Sequence, residues 1–212
     1  MMNPLAVLTV LITLLISGGC LDSGGGGGLD GGHDFGENDP NVVVAMGDSI
    51  TAGGFSGGAP WPSRMAGMIG KTVVNDGVSG ARSSDGVARV NRRLSGLKPG
   101  YVIIFYGAND AINGVDPDQV GAAIDGMVAA VQANQSIPIV ATVMPMSGGR
   151  VIFNGAVDRI NEQIRDVARN RGAALVNLNG LVSGNTDLYL ADGLHLNDNG
   201  ELAVALEFAD RF

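Results

Sequence analysis

A chain of 212 residues is long enough for one domain with a full hydrophobic core, and 45% hydrophobic with 16% charged residues is a globular rather than a disordered composition. The net charge of −8 disfavours nucleic-acid binding, because a polyphosphate would be repelled. The single cysteine, Cys20, excludes an intrachain disulfide and a zinc site built from several cysteines.

Residues 1–20 are predicted to be a targeting segment. The apolar stretch 5–16 is too short to span a bilayer as a helix and fits the hydrophobic region of a secretory signal. Small residues and then Cys20 follow it, an order that resembles a bacterial lipoprotein signal, whose cysteine is lipidated. Two interpretations are open: an exported cell-envelope protein with a lipid anchor on Cys20 in the membrane, which we expect, and a freely secreted protein.

Residues 21–39 are predicted to be a flexible tether. They include five consecutive glycines, and such a composition cannot bury enough apolar surface to offset its ordering entropy. His33 lies in this segment and is expected to be solvated rather than to bind a metal ion.

From residue 40 onwards, short apolar runs typical of strands alternate with stretches that carry apolar residues at helical spacing. The predicted strands are 41–45, 72–75, 101–106, 137–144 and 173–176. Helices are predicted at 61–69, 83–97, from 116 onwards, at 152–171 and at 196–212. This alternation implies parallel β-α units. We therefore expect residues 40–212 to form an α/β domain, a flavodoxin-like three-layer α/β/α sandwich with a five-stranded parallel sheet.

The first predicted strand ends at Met46-Gly47-Asp48-Ser49, and a glycine-rich loop follows. A residue at the carboxyl end of the first strand of an α/β domain lies at the mouth of the binding crevice. Ser49 is therefore expected to face a ligand. On this stretch alone two interpretations are equally good: Ser49 caps a following helix, or it is a nucleophile.

A serine hydroxyl is a poor nucleophile at neutral pH and needs a base within hydrogen-bond reach. His195 is the one histidine of the predicted domain, and Asp192 precedes it by three positions. This spacing allows the carboxylate to lie beside the imidazole, fix its tautomer and stabilise the imidazolium. The alternative for this pair is a capping aspartate and a packed surface histidine, and Ser49 at another strand end favours the catalytic interpretation.

Attack by Ser49 on an acyl carbon would create an oxyanion, which needs donors where its charge develops. Three groups that follow predicted strands could donate: the N–H of Ser49, the N–H of Gly77 and the side-chain NH₂ of Asn109. Gly77 has no side chain, so its backbone can approach a ligand closely. Asparagine is also an ordinary turn residue, which is the alternative for Asn109.

Taken together, these motifs resemble the SGNH (GDSL) hydrolase family. Within about 41–199 they are Gly47-Asp48-Ser49, Gly77 in Asn75-x-Gly77-x-x-Gly80, Gly107-x-Asn109-Asp110 and Asp192-x-x-His195. The resemblance implies a flavodoxin-like fold and ester hydrolysis through an acyl-enzyme. It also implies roles: Ser49 as nucleophile, His195 as base, Asp192 as its orienting partner, and Ser49, Gly77 and Asn109 as the oxyanion hole.

Other kinds of site lack their motifs in the required context. The G-x-S-x-G string at residues 54–58 does not directly follow a predicted strand, as a nucleophile elbow does. The chain has no G-x-x-x-x-G-K-[ST] phosphate loop, and the loop at Gly77 lacks the dinucleotide-binding glycine spacing. We therefore expect no cofactor and no metal ion. Asp48 and Asp110 are expected to brace their loops by hydrogen bonds rather than to take part in the chemistry.

The loops at the predicted strand ends are short and rich in glycine, so we expect a shallow, open site. Such a site suits acetyl or other short-chain acyl esters, on small molecules, carbohydrates or lipids. Phe55 is a candidate wall of this site, whereas Trp61 is expected to pack at the start of its helix. Three alternatives share the fold or the site: a lysophospholipase or thioesterase-like lipase, an acyltransferase, and a non-catalytic binding lipoprotein.

Overall fold

A computed structural model of the chain describes residue 29, residues 31–182 and residues 186–212. Five strands form one parallel sheet with the order β2-β1-β3-β4-β5. The strands are β1 (Asp39–Gly47), β2 (Thr72–Gly77), β3 (Pro99–Phe105), β4 (Ile137–Ala141) and β5 (Ala174–Val176). The sheet predicted from the alternating pattern is confirmed.

Eight α-helices and two short 3₁₀ segments connect or follow the strands in the described part of the chain. The helices are α1 (Ser49–Ala52), α2 (Trp61–Ile69), α3 (Ser83–Leu97), α4 (Ala108–Ile112), α5 (Pro117–Ala133), α6 (Asn154–Arg171), α7 (Leu178–Leu181) and α8 (Asp198–Ala209). The 3₁₀ segments are Gly148–Phe153 and Thr186–Leu188. Helices α3, α5 and α6 pack side by side, and α2 packs on α8. Right-handed crossovers place these two groups on opposite faces of the sheet, which gives three layers.

The central strand β3 is buried along its whole length, as its unbroken apolar sequence predicts. Its neighbour β1 ends level with it: Gly47 lies beside Phe105 of β3 and beside Gly77 of β2. The register therefore brings the ends of three strands to one place on the carboxyl edge of the sheet.

The fourth strand is shorter than its apolar sequence predicts, because a side chain takes over its backbone hydrogen bonds. The carboxamide of Asn161 on α6 accepts from the N–H of Val143 at 2.7 Å and donates to the carbonyl of the same residue at 2.8 Å. Strand β4 consequently ends at Ala141, and the chain turns out of the sheet.

Residues 31–38 differ from the flexible tether predicted for 21–39, because they lie against the domain. Phe35 packs on Tyr101 with 5.4 Å between ring centroids, and β1 already begins at Asp39. An apolar ring in an otherwise polar, glycine-rich segment anchors it at the amino edge of the sheet.

The predicted signal segment, Cys20 and the glycine run lie outside the described residues, so those interpretations stay predictions. In the part of the chain that the structure does describe, none of the helices combines the length and the apolar character needed to cross a bilayer.

Candidate active site

Ser49 opens helix α1 directly after β1. The side chain of Asp48 caps this helix by accepting from the N–H of Ile50 at 2.8 Å, and Ser49 itself is 6% exposed. A Cβ at Gly47 would lie 2.0 Å from the hydroxyl of Thr51 and 2.7 Å from the carbonyl of Phe105. The sharp turn from strand to helix therefore requires glycine before Asp48-Ser49.

The hydroxyl of Ser49 meets the imidazole predicted to be its base. The distance from Oγ of Ser49 to Nε2 of His195 is 2.9 Å, and Nδ1 of His195 lies 2.5 Å from Oδ2 of Asp192. The three side chains form one continuous hydrogen-bonded row, in the order that a serine–histidine–carboxylate site requires.

The carboxylate of Asp192 is held on its other oxygen. Oδ1 accepts from the backbone N–H of Leu194 at 2.9 Å and of His195 at 3.0 Å. Partial burial favours a higher pKa for Asp192, but these two N–H groups and the imidazole outweigh it, so the pKa lies below its usual range. The group is therefore ionised at neutral pH and can stabilise a charged imidazolium.

The loop that carries Asp192 and His195 is fastened to the segment after β4. The N–H of Ser147 donates to the carbonyl of Gly193 at 2.9 Å, and Nε of Arg150 donates to the carbonyl of Asp192 at 2.9 Å. Gly193 has φ of +72°, and a Cβ there would lie 2.2 Å from the carbonyl oxygen of Ser147. Glycine is thus needed for this close approach.

The three predicted oxyanion donors differ in whether they already donate a hydrogen bond within the protein. The N–H of Ser49 has no acceptor among the described residues. The N–H of Gly77 donates to Oδ1 of Asn75 at 3.0 Å, and Nδ2 of Asn109 donates to the carbonyl of Ala81 at 3.1 Å. A substrate oxyanion would therefore share or displace internal acceptors at two of the three positions.

Asn109 also contacts Asp48, the residue directly before Ser49. Its Nδ2 lies 3.3 Å from Oδ2 of Asp48. Burial raises the pKa of Asp48 to about 7 against the opposing N–H of Ile50, and the nearby carboxylate of Asp110 adds to the rise. Asp110 accepts from the N–H and the hydroxyl of Ser83, at 3.0 and 2.7 Å. Both carboxylates brace loops, as the sequence predicts.

Two aromatic residues near the site have different surroundings. Trp61 is completely buried and stacks on Phe208 of α8 with 4.5 Å between centroids, which confirms the packing predicted for it. Phe55 is 48% exposed and stacks on His195, with ring centroids 4.0 Å apart and planes at 19°. The contact with His195 was not predicted. An exposed aromatic residue within the glycine-rich loop after Ser49 is the sequence signal that could have indicated it.

An open cavity of about 360 Å³ begins one residue after Gly77. Its lining residues are Val78, Ser79, Gly80, Ala81, Asp85 and Arg89. Because the carbonyl of Ala81 accepts from Asn109, this cavity adjoins the predicted oxyanion donors.

In the described parts of the chain, no three His, Cys, Asp or Glu side chains are grouped so as to hold a metal ion. His33, expected to be solvated, is exposed, and its Nε2 lies 3.1 Å from the backbone carbonyl of Gln135.

Comparisons with known proteins point to one family. The model of the GDSL-like Lipase/Acylhydrolase family matches residues 45–203. The thioesterase 1/protease 1/lysophospholipase L1 of Escherichia coli (strain K12) is 29% identical over 114 residues, which cover 52% of this chain and 55% of that protein. The esterase TesA of Pseudomonas aeruginosa is 28% identical over 164 residues, or 73% of this chain and 79% of that protein. The chain thus spans about half the length of the first of these relatives.

Among solved structures, the chain is similar to LAE5, an alpha/beta hydrolase enzyme from the metagenome of Lake Arreo, Spain. The TM-score is 0.71 at 23% identity, over 84% of this chain and 96% of that protein. At this identity the likeness shows a shared fold, in agreement with the sheet and helices described above.

Proposed function

Because the chain belongs to the GDSL-like lipase/acylhydrolase family, we propose that it is a serine ester hydrolase that works through an acyl-enzyme. The observation that carries this proposal is the row of hydrogen bonds from Oγ of Ser49 to Nε2 of His195, at 2.9 Å, and from Nδ1 of His195 to Asp192, at 2.5 Å. Nucleophile and base are already within the distance that proton transfer needs.

In the first half of the proposed reaction, Oγ of Ser49 attacks the acyl carbon while Nε2 of His195 takes the hydroxyl proton. Asp192 accepts from Nδ1–H and stabilises the imidazolium as it forms. The lowered pKa of Asp192 supports this role, because the carboxylate must stay ionised while the histidine is charged. The tetrahedral intermediate then expels the alcohol, which takes the proton from Nε2.

The negative oxygen of that intermediate would be stabilised by the N–H of Ser49, the N–H of Gly77 and Nδ2 of Asn109. Of these, the N–H of Ser49 is free of internal acceptors among the described residues. The N–H of Gly77 and Nδ2 of Asn109 would share or exchange their present acceptors, Asn75 and Ala81, for the oxyanion, whose full charge makes it the stronger acceptor. In the second half, water attacks the acyl-enzyme, and the same groups act again.

Acetyl or other short-chain acyl esters are the proposed substrates. Support comes from the short connections on this edge: one residue joins β1 to α1, two join β3 to α4, and five join β2 to α3. Loops of this length cannot enclose a long tunnel, so the acyl group would lie in an open depression. A lysophospholipase or thioesterase is the second candidate, favoured by the similarity to the thioesterase 1/protease 1/lysophospholipase L1 of Escherichia coli. Acyl transfer to an acceptor other than water would use the same residues.

Fluorophosphonate labelling tests the proposal directly. Attack by an activated serine forms an O–P bond and releases fluoride, so the unmodified chain should be labelled at Ser49 and Ser49→Ala should not. Ser95→Ala is the matched control, because Ser95 is an exposed serine on α3, and this variant should label fully. A chain that never reacts with the probe would instead be the non-catalytic binding protein.

We also propose that the protein is exported and held in the cell envelope by a lipid on Cys20. The proposal rests on the apolar stretch 5–16, the small residues after it and the position of the only cysteine. Incorporation of a labelled fatty acid by the full chain, and its loss in Cys20→Ser, would support the anchor. An unlabelled chain released into the medium would mean a freely secreted protein.

A further inference from the structure

The loop 53–60 runs from the end of the serine helix α1 to the start of α2, and it carries Phe55 onto His195. The two rings are stacked at 4.0 Å, and nearly half of Phe55 remains exposed. An exposed side chain on a glycine-rich loop would ordinarily sample several rotamers. The stack therefore requires that something else hold the loop.

A buried carboxylate on α8 holds the loop at both ends. Glu201 is 2% exposed, and its Oε2 accepts from the N–H of Trp61, the first residue of α2, at 2.8 Å. At the other end of the loop, a Cβ on Gly53 would lie 3.1 Å from Oε1 of Glu201, so this oxygen lies against the backbone there. One side chain therefore contacts the backbone on either side of the loop.

The middle of the loop has a second attachment to the same helix turn. Arg64 of α2 pairs with Asp198, and its Nε donates to the carbonyl of Ala59 at 2.7 Å. A Cβ at Gly58 would lie 2.1 Å from Oδ1 of Asp198. The first turn of α8 thus contacts the loop through two carboxylates, those of Asp198 and Glu201.

That turn also follows the histidine closely in the chain. Helix α8 begins three residues after His195, and Asn197 caps it by accepting from the N–H of Gly200 at 3.0 Å. The position of the imidazole and the position of the Phe55 loop are consequently set by one rigid element.

Burial of Glu201 is otherwise difficult to explain. It lies on the face of α8 that Ala205 and Phe208 turn towards the core, where an apolar residue would cost less desolvation. Burial raises the pKa of Glu201 to about 7, against the opposing N–H of Trp61 and the charge of Arg64. The free-energy cost of this carboxylate is consistent with a task other than packing.

We propose that Glu201 is a positioning residue for the base: by holding the Phe55 loop, it keeps Phe55 stacked on His195 and so keeps Nε2 directed at Ser49. The stack limits rotation of the imidazole ring and covers one of its faces from water. The inference rests on the proposed serine-hydrolase function. It assigns to Phe55 and Glu201 one shared effect, exerted on the orientation of His195 rather than on substrate binding.

A double-mutant cycle on the full chain tests this coupling. Phe55→Ala and Glu201→Leu, which leaves the N–H of Trp61 without its acceptor, should each lower kcat for p-nitrophenyl acetate by roughly tenfold with little change in KM, because ring orientation limits proton transfer. Since both changes remove the same stack, the double variant should lose no more than the worse single variant. Losses that multiply to about a hundredfold would overturn the proposal.

Further variants distinguish an effect on the orientation of His195 from a general loss of folding or activity. Phe55→Tyr keeps an aromatic ring and should retain close to the original kcat, whereas Phe55→Leu should resemble Phe55→Ala. Asp210→Asn removes a carboxylate from the exposed end of α8 and should leave kcat unchanged. If Glu201→Leu does not fold, which the fluorescence of the only tryptophan would reveal, the Phe55 series decides alone. Full activity in Phe55→Ala, or a rise in KM with unchanged kcat, overturns the inference.

The experiments distinguish failure of the positioning role from failure of the proposed serine-hydrolase function. If the original chain does not react with fluorophosphonate, the serine-hydrolase function itself is wrong. If the original chain reacts and turns over ester, and the Phe55 and Glu201 variants match it, only the positioning role is wrong.

Discussion

The imidazole Nε2 of His195 lies 2.9 Å from the hydroxyl of Ser49, although the two residues are 146 positions apart in the chain. Ser49 follows the first strand, and His195 follows the last strand and precedes the last helix. Only the parallel arrangement of strands, which collects their carboxyl ends at one edge, brings this pair together.

Loss of either member of this pair should nearly abolish ester hydrolysis. Ser49→Ala removes the nucleophile and His195→Ala removes the base, so each should lower kcat for p-nitrophenyl acetate by about 10⁴-fold or more. The two side chains bond to each other at the carboxyl edge of the sheet and are not part of the hydrophobic core, so the thermal midpoint should change little. Ser95→Ala serves as the control, and near-normal turnover in either site variant would refute the assignment.

Asp192→Asn should be less damaging than Ser49→Ala. The amide oxygen can still accept from the N–H groups of Leu194 and His195, at 2.9 and 3.0 Å in the structure, so the loop keeps its shape. The lost charge no longer stabilises the imidazolium, and we expect a kcat roughly 10- to 100-fold above that of Ser49→Ala. Single-turnover kinetics would measure this ratio. An activity equal to that of the original chain would show that the carboxylate is dispensable.

Asn109→Ala should lower kcat by about 10²- to 10³-fold with a small change in KM, because the donor acts on charge that develops only in the transition state. Asn113→Ala is a suitable comparison, since Asn113 lies in the same segment and its Nδ2 donates to the carbonyl of Asn109 at 2.7 Å. If both variants lost activity equally, Asn109 would matter for the loop and not for the oxyanion.

The buried Asp48 should make stability fall as the pH rises. Burial raises the pKa of Asp48 from 3.8 to about 7 in the folded protein, so the folded state binds the proton more tightly than the unfolded state. The stability from this group is fully present below pH 3.8 and is lost as the pH passes through about 7.

Asp48→Asn removes this titration and leaves Glu201, whose pKa is also raised to about 7, in place. The urea midpoint of the variant, relative to the original chain, should therefore increase between pH 5 and pH 8. A difference between the two proteins that does not vary with pH would mean that Asp48 titrates normally in the fold.

Chain-length dependence tests the proposed substrate class. In a series of p-nitrophenyl esters from acetyl to dodecanoyl, kcat/KM should be highest for the shortest acyl groups, because the short loops leave no enclosed channel for a long chain. Chromatographic assay of a lysophospholipid provides the comparison with the second candidate. A steep rise towards dodecanoyl would favour the lysophospholipase instead.

Much of the fold followed from local pattern. The apolar run of β3 and the helical spacing in α5 reflect burial on one or both sides, which sequence records directly. The early end of β4 did not follow, because it depends on Asn161, which reaches Val143 from the next helix. The packing of 31–38 depends on a single ring, Phe35, whose contact with Tyr101 no periodicity reveals.

The residues of the site also divide into those that the sequence predicts and those that depend on tertiary contacts. Ser49, Asp192 and His195 could be proposed because their chemistry is specific, Ser49 follows the first strand, and Asp192 and His195 share the loop before the last helix. Glu201 could not, since its partners are backbone N–H groups of a distant loop, although a carboxylate among the apolar positions of α8 was a visible signal. The internal acceptors of Gly77 and Asn109 also depend on tertiary geometry alone.

Residues 31–38 pack at the amino edge of the sheet, and this position determines how far the N-terminal segment lies from the site. Strand β1 is nine residues long, so about 30 Å of sheet separates the place where the N-terminal segment joins the domain from Ser49. The place where the N-terminal segment joins the domain and the proposed nucleophile therefore lie at opposite edges of the sheet. Attachment of the chain through its N-terminal segment would thus leave the carboxyl edge, where Ser49 lies, free to meet a substrate.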